Sequence, residues 1–347
     1  MKRIPFLFLL LICFSCNQKA ITTDQTVINR LIYVYNLKTL VDKKIWSGFS
    51  DNKFDVPVIY YDESYCYIAN PTEGFLDQYN PELIFKNSVL NIYKSPLCDS
   101  IPFHMHVSVF FGDEKFDNFD YKSPYVRSSS PEITQNFVPD VPSIETWATM
   151  VMHEYFHGFQ FQHNQYLDYI EKNIALMPQD TLQSIYIQND WYKESVDKEN
   201  DILLSAIESA DTIQIRELIK NFFILREHRR RDTKDRLNTD IIVTEELFET
   251  IEGTARYVEF NLYNVLSTKD PDIEMMKSDT LYRSYEHFKE FNLEENEWLY
   301  RTHSMYYYAI GFNILRLLDK LGVEYKQTLF DDDTSVEKIL RKYITSE

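Results

Sequence analysis

The spacing of apolar residues along the chain changes character near residue 140. In residues 24–46, Val27, Leu31, Ile32, Val34, Leu37 and Leu40 fall at helical spacing and predict one helix. Two short aromatic and β-branched runs follow, 56–61 and 65–69, split by Asp62-Glu63-Ser64, which predicts a hairpin. Residues 103–111 alternate, with Phe103, Met105, Val107, Val109 and Phe111 on one face and His104, His106 and Ser108 on the other, the pattern of a half-buried strand. After Pro142 the period is helical. Ser143 and Glu145 open a helix that runs to about His163, and further helical patterns cover 178–194, 211–229, 240–266, 303–321 and 334–344. Strands first and helices later indicate an α+β fold, a small sheet packed beside a helical body. The chain thus divides into a helix-and-sheet region, 17–140, and a helical region, 141–347, with the boundary read as a change of layer.

The N-terminus follows another logic. Lys2 and Arg3 precede the apolar run 4–14, too short to cross a bilayer but suited to the core of a secretion signal. The run stops at Ser15-Cys16, ahead of Asn17, Gln18 and Lys19. This resembles a bacterial lipoprotein signal, residues 1–16, with Cys16 the lipidated first residue of the mature protein. The resemblance implies a lipid anchor in the cell envelope. No acidic run follows Cys16, which favours the periplasmic side. Cys66 and Cys98 are the remaining cysteines, and an oxidising compartment can bridge them or leave two separate thiols.

Composition removes some functions. Seven glycines, with no GxGxxG and no GxxxxGK[ST], argue against a nucleotide-binding loop. A net charge of −18 argues against a nucleic-acid partner, because phosphates need a basic surface.

The chemical signal is His153-Glu154-Tyr155-Phe156-His157. Residues four apart share a helix face, so both imidazoles can reach one metal ion, with Glu154 beside them to deprotonate a water. The apolar turns before it, Ala148, Met150, Val151 and Met152, mark a buried helix whose polar side chains need partners. A catalytic zinc site takes a third protein ligand. His163 stands at the spacing of the HExxHxxGxxH pattern, but the glycine that lets the chain turn back is Gln160 here. Glu252, in a second helical segment, is the rival.

That second segment, Glu252-Gly253-Thr254-Ala255-Arg256-Tyr257-Val258-Glu259, resembles the EGxAxYVE stretch of gluzincin metallopeptidases, the group of aminopeptidase N and leukotriene A4 hydrolase. The resemblance implies a zincin-like fold, one zinc ion per chain held by His153, His157 and Glu252, and support of the site by Glu259. Tyr308-Ala309-Ile310-Gly311 is similar to the family's Tyr-x-Lys-Gly segment, which implies that the Tyr308 hydroxyl stabilises an oxyanion; Tyr306 and Tyr307 are immediate rivals. The matched pieces amount to about 20 residues. The 94 residues between His157 and Glu252 far exceed the family's usual gap, and its GxMEN motif is absent, so aminopeptidase specificity does not carry over. The implied activity is hydrolysis of peptide bonds, with Glu154 as general base and strand 103–111 as a sheet edge for an extended peptide. His104 and His106, on that strand's polar face, are expected in solvent. The alternative is a lipoprotein of the same fold that binds a peptide or glycan without cleaving it, although an intact Glu154 has no purpose there. The oligomeric state is not legible.

Overall fold

In a computed structural model of the protein the described residues are 23–345, without 78, 98, 110–122, 140, 175–178, 290–292, 294–299 and 332. The expected leader with Cys16, Cys98 of the expected pair, and the end of the predicted strand 103–111 lie outside them.

The first helix, α1 (Thr23–Lys44), keeps its predicted period and buries Val27, Leu31, Val34, Leu37 and Val41. The hairpin forms where the turn chemistry puts it. Strands β1 (Val58–Tyr61) and β2 (Tyr65–Ala69) pair antiparallel, and the Asp62 carboxylate accepts the N–H groups of Ser64 and Tyr65 across the turn. Alternation sorts β1 onto two covered faces. Val58 and Tyr60 join the main core, while Ile59 and Tyr61 join a smaller cluster with Cys66, Ile68, Phe75 and Tyr125. Cys66 Sγ lies 3.4 Å from the Pro96 carbonyl oxygen.

A short helix α2 (Glu73–Leu76) and strands β3 (Glu82–Lys86), β4 (Asn91–Pro96), β5 (Met105–Ser108) and β6 (Tyr125–Ser129) complete one sheet, ordered β3-β4-β2-β1-β6-β5. Only the β1–β6 pair is parallel. Among the described residues strand β5 is therefore an edge, the position expected for it. His104, just before it, is not in solvent as expected. Its ring stacks on Tyr61 with centroids 4.1 Å apart, and Nε2 lies 3.0 Å from Asp99 Oδ1. The polar face of the alternation is covered at His104 and open at His106, so period two did not mean exposure at every position. His106 is exposed.

The helices follow as α3 (Pro131–Phe137), α4 (Ile144–Phe161), α5 (Asn164–Ile174), α6 (Gln179–Gln188), α7 (Asp190–Glu208), α8 (Thr212–Leu237), α9 (Ile242–Ser267), α10 (Ile273–Ser278), α11 (Glu286–Lys289), α12 (Tyr307–Lys320) and α13 (Val336–Thr345). Ser143 caps α4 by accepting the Thr146 N–H at 3.2 Å. The Glu145 carboxylate then accepts the N–H groups of Arg283 and Tyr285, which ties a distant loop to the start of that helix. The predicted helix 178–194 is two helices parted at Asn189, and most of α7 was not foreseen. The buried face of α7 has helical spacing, but Glu199 and Asn200 interrupt its apolar character.

Those polar positions have partners. Arg226, Arg229 and Arg230 of α8 are buried against Glu199 of α7, Glu245 and Glu249 of α9, and Glu337 of α13. Arg226 reaches three carboxylates, with 3.1 Å to Glu199 and 2.7 Å to Glu337. Taking one partner away from such a group leaves an uncompensated buried charge, which costs ~3–5 kcal/mol. The 94-residue gap is thus not a loose insertion. Two of its helices are bonded to the helix that carries Glu252.

Candidate metal centre

Helix α9 is buried nearly all round, yet it carries a polar line. Glu245, Glu249, Glu252, Arg256, Glu259 and Tyr263 recur at spacings of four and three, which at about 100° per residue keeps them within about 40° of one line. The first two bind the arginines. Of the remaining four, Glu252 and Glu259 meet His153 of α4, Arg256 lies over Tyr308 of α12 and Tyr263 stacks on Phe288 of α11.

His153 and His157 lie on α4, which packs across α9. His153 Nε2 is 3.6 Å and His157 Nε2 is 3.3 Å from Glu252 Oε2. Ligand atoms of the three residues all lie within 4.8 Å of one another, the only such group of three among the described residues. Glu252 Oε2 is buried and accepts no hydrogen bond of normal geometry. An orphaned carboxylate oxygen facing two imidazole nitrogens is a nitrogen-and-oxygen donor set that fits a zinc ion. Burial alone would raise the Glu252 carboxyl, but His157 and His153 more than offset it and hold it far below the usual range. Burial likewise disfavours charge on His157, and Glu252 with Glu154 overcomes that and raises it to about 9.

Each histidine has a polar group behind it. His153 Nδ1 lies 3.2 Å from Glu259 Oε2, and Glu259 is in turn fixed by Arg256 at 2.6 Å and by the Tyr263 hydroxyl at 2.6 Å. Glu259 therefore stands where the sequence put it, one partner away from the triad. Arg256 and Tyr263 were not foreseen, though both continue the three-and-four spacing of α9. His157 Nδ1 contacts Gln160 Oε1 at 2.8 Å.

His163 is elsewhere. Helix α4 ends at Phe161, His163 Nδ1 meets the Phe159 carbonyl at 2.9 Å, and its ring stacks on Phe54 at 4.4 Å. With no glycine at 160 to reverse the chain, it cannot return to the triad.

The three adjacent tyrosines separate cleanly. Tyr306 donates to Glu245 and meets Tyr192 at 2.6 Å, inside the arginine cluster. Tyr307 accepts from Gln179 and Gln183. Tyr308 alone lies against the triad, its ring parallel to that of His153 with centroids 6.2 Å apart. Burial and the Glu252 charge push its phenol well above the ordinary value, so it stays a hydrogen-bond donor at neutral pH.

Glu154 points toward the sheet edge, where its Oε2 accepts the Val107 N–H at 3.1 Å. Burial raises its carboxyl, against the lowering effect of His157 and His153. In an antiparallel pair alternate residues turn their backbone outward. His104 O accepts from Ser129 N at 2.7 Å, toward β6, so Met105 and Val107 present theirs to the free side.

No protein-family model, curated protein or solved structure matches the chain.

Proposed function

We propose that the protein is a zinc metallopeptidase with a zincin-like core, resembling the gluzincins at its site and held to a bacterial cell envelope by a lipid on Cys16. The observation that carries the reading is the meeting of His153 and His157 with Glu252, from two helices and with 94 residues between His157 and Glu252, with Glu154 and Tyr308 beside them. His153 Nε2, His157 Nε2 and a Glu252 oxygen would hold the ion. A zinc ion so bound polarises a carbonyl and makes a water acidic enough to be used near neutral pH.

The chain's own residues supply the rest. Glu154 takes the proton of the attacking water and passes it to the leaving amine, a role that a raised carboxyl pKa suits. The Tyr308 hydroxyl donates to the oxygen on which charge develops. An extended peptide pairs with the outward backbone groups of Met105 and Val107, which places its carbonyl beside Glu154. In doing so it takes the Val107 N–H from Glu154 and frees that carboxylate for the water.

The test is elemental analysis of the full chain purified in detergent, followed by cleavage of an unstructured protein, with Glu154→Gln as control. About one zinc per chain and cleavage lost in Glu154→Gln are expected. Zinc without cleavage of any peptide in a broad pool would favour a peptide- or glycan-binding role, and no zinc after reconstitution would end the metal reading.

A further inference from the structure

Gln160 lies at the seam of the two helices that make the metal centre, fully buried. Its amide nitrogen donates to the Ile251 carbonyl at 2.9 Å and to Thr254 Oγ1. Thr254 Oγ1 is an acceptor there because its own proton goes to the Thr250 carbonyl at 2.6 Å. Both donors of the amide are therefore committed to α9, one residue before and two residues after Glu252. The amide cannot turn over, and its oxygen must face His157 Nδ1, 2.8 Å away. A carbonyl oxygen accepts and cannot donate, so Nδ1 has to carry a proton. The Nε2 lone pair then faces Glu252 whenever the imidazole is neutral.

We infer that Gln160 is a positioning residue for the metal: it fixes the tautomer and the ring angle of His157 and sets the distance between the two ligand-bearing helices. The inference rests on the metal reading above and adds a residue which that reading does not need. It also gives position 160 a purpose. The glycine of the three-histidine pattern would swing the chain back to a third imidazole, whereas a glutamine keeps α4 helical and locks it to the helix of a carboxylate ligand. An amide is also neutral, unlike Glu259 behind His153, so the two histidines have partners of different charge. Partners of this kind change metal affinity about 10–100-fold when removed.

The experiment is zinc affinity by chelator competition on the full chain in detergent, for wild type, Gln160→Met and Thr254→Val. Gln160→Met keeps the length of the side chain and removes every hydrogen bond. It is expected to bind zinc about 10–100-fold more weakly, with a cobalt-substituted form whose absorption spectrum is altered. Thr254→Val, which leaves the Ile251 bond in place, should lose less. A packing role alone would leave affinity and spectrum of folded Gln160→Met at wild-type values, and that result overturns the inference. Should Gln160→Met not fold, the nitrogen NMR signals of His157 in the wild type decide. A proton on Nδ1 in the zinc-loaded protein supports the inference, and a bare Nδ1 overturns it. Wild type that takes up no zinc fails the metal reading itself; wild type that binds zinc as tightly as Gln160→Met does fails only this step.

Discussion

Gly253 and Gly311 face one another where α9 crosses α12, so closely that a Cβ on Gly253 would lie 2.6 Å from the Gly311 Cα. A Cβ on Gly311 would meet the Glu249 carbonyl oxygen, with backbone on both sides and nothing free to yield. The contact brings Tyr308, one turn before Gly311, against the helix of Glu252. Gly311→Ala is expected to cost ~1–3 kcal/mol or more by forcing the helices apart. It should also weaken zinc binding in whatever folded protein remains, as thermal unfolding and chelator competition would show. An unchanged midpoint would mean that the helices cross at a greater distance than described.

Tyr308→Phe removes one hydroxyl and leaves the ring against His153. The expected result is zinc at the wild-type level with turnover of a peptide reduced about 10²–10³-fold, the usual effect of removing one oxyanion donor. Tyr307→Phe, whose hydroxyl answers to Gln179 and Gln183, should leave turnover near wild type. Equal losses in the two variants would remove Tyr308 from the chemistry.

Glu259→Ala should weaken zinc binding about 10–100-fold, because His153 Nδ1 then loses its carboxylate and Arg256 loses its ion pair. His163→Ala should leave zinc binding unchanged. Chelator competition on the two proteins separates these outcomes, and a loss in His163→Ala would restore the three-histidine alternative.

The arginine cluster predicts a dependence on pH. Three buried guanidiniums and the partly exposed Arg341 meet four carboxylates, of which Glu249 is reached by Arg226 alone. Burial raises Glu249 to about 7 against the pull of Arg226, while for Glu337 the same burial is outweighed by Arg230 and Arg226, which hold it at about 2. Glu337, lowered on folding, stabilises fully above pH ~4.5, and that contribution fades as pH falls toward 2. Glu249, raised on folding, has the opposite sign: the folded state holds its proton longer, so stability declines as pH rises from ~4.5 through 7. In metal-free protein, the stability of wild type relative to Glu249→Gln should therefore fall between pH 5 and pH 8, as denaturant titration can measure. A difference that stays constant over that range would mean that Glu249 does not titrate there.

The candidate metal centre is legible in the sequence because each of its pieces is local. A capped apolar helix displays HExxH, a second displays Glu252 and Glu259 seven apart, and the tyrosine precedes a glycine that the crossing requires. In the sequence Gln160 stands only as a missing glycine, since nothing there tells that its amide reaches Ile251 and Thr254. The run 226–231 has the composition of a solvated face, and its burial depends on carboxylates up to 111 residues away. A signal was nevertheless present: Arg226, Arg229, Arg230 and Thr233 are spaced as one helix face, and so are the glutamates of α9. Hydropathy periodicity looks for apolar residues on the inner face and passes over a polar line that is buried against another polar line. Strands β3 and β4 were missed because their burial is partial and mixed, without the alternation that announced residues 103–111.

Arg226 pairs with Glu337, which the ribosome adds 111 residues later. At about 5–20 residues per second, a nascent chain carries that guanidinium for roughly 5–20 s before its last carboxylate exists. Until then Arg226 can pair with Glu199 and Glu249 and Arg230 with Glu245, but the Arg230 Nη groups lack the acceptors that Glu337 supplies. The segment around Glu337 is thus a late clasp: a chain released before it is made carries His153, His157 and Glu252, with α8 and α9 joined by fewer ion pairs.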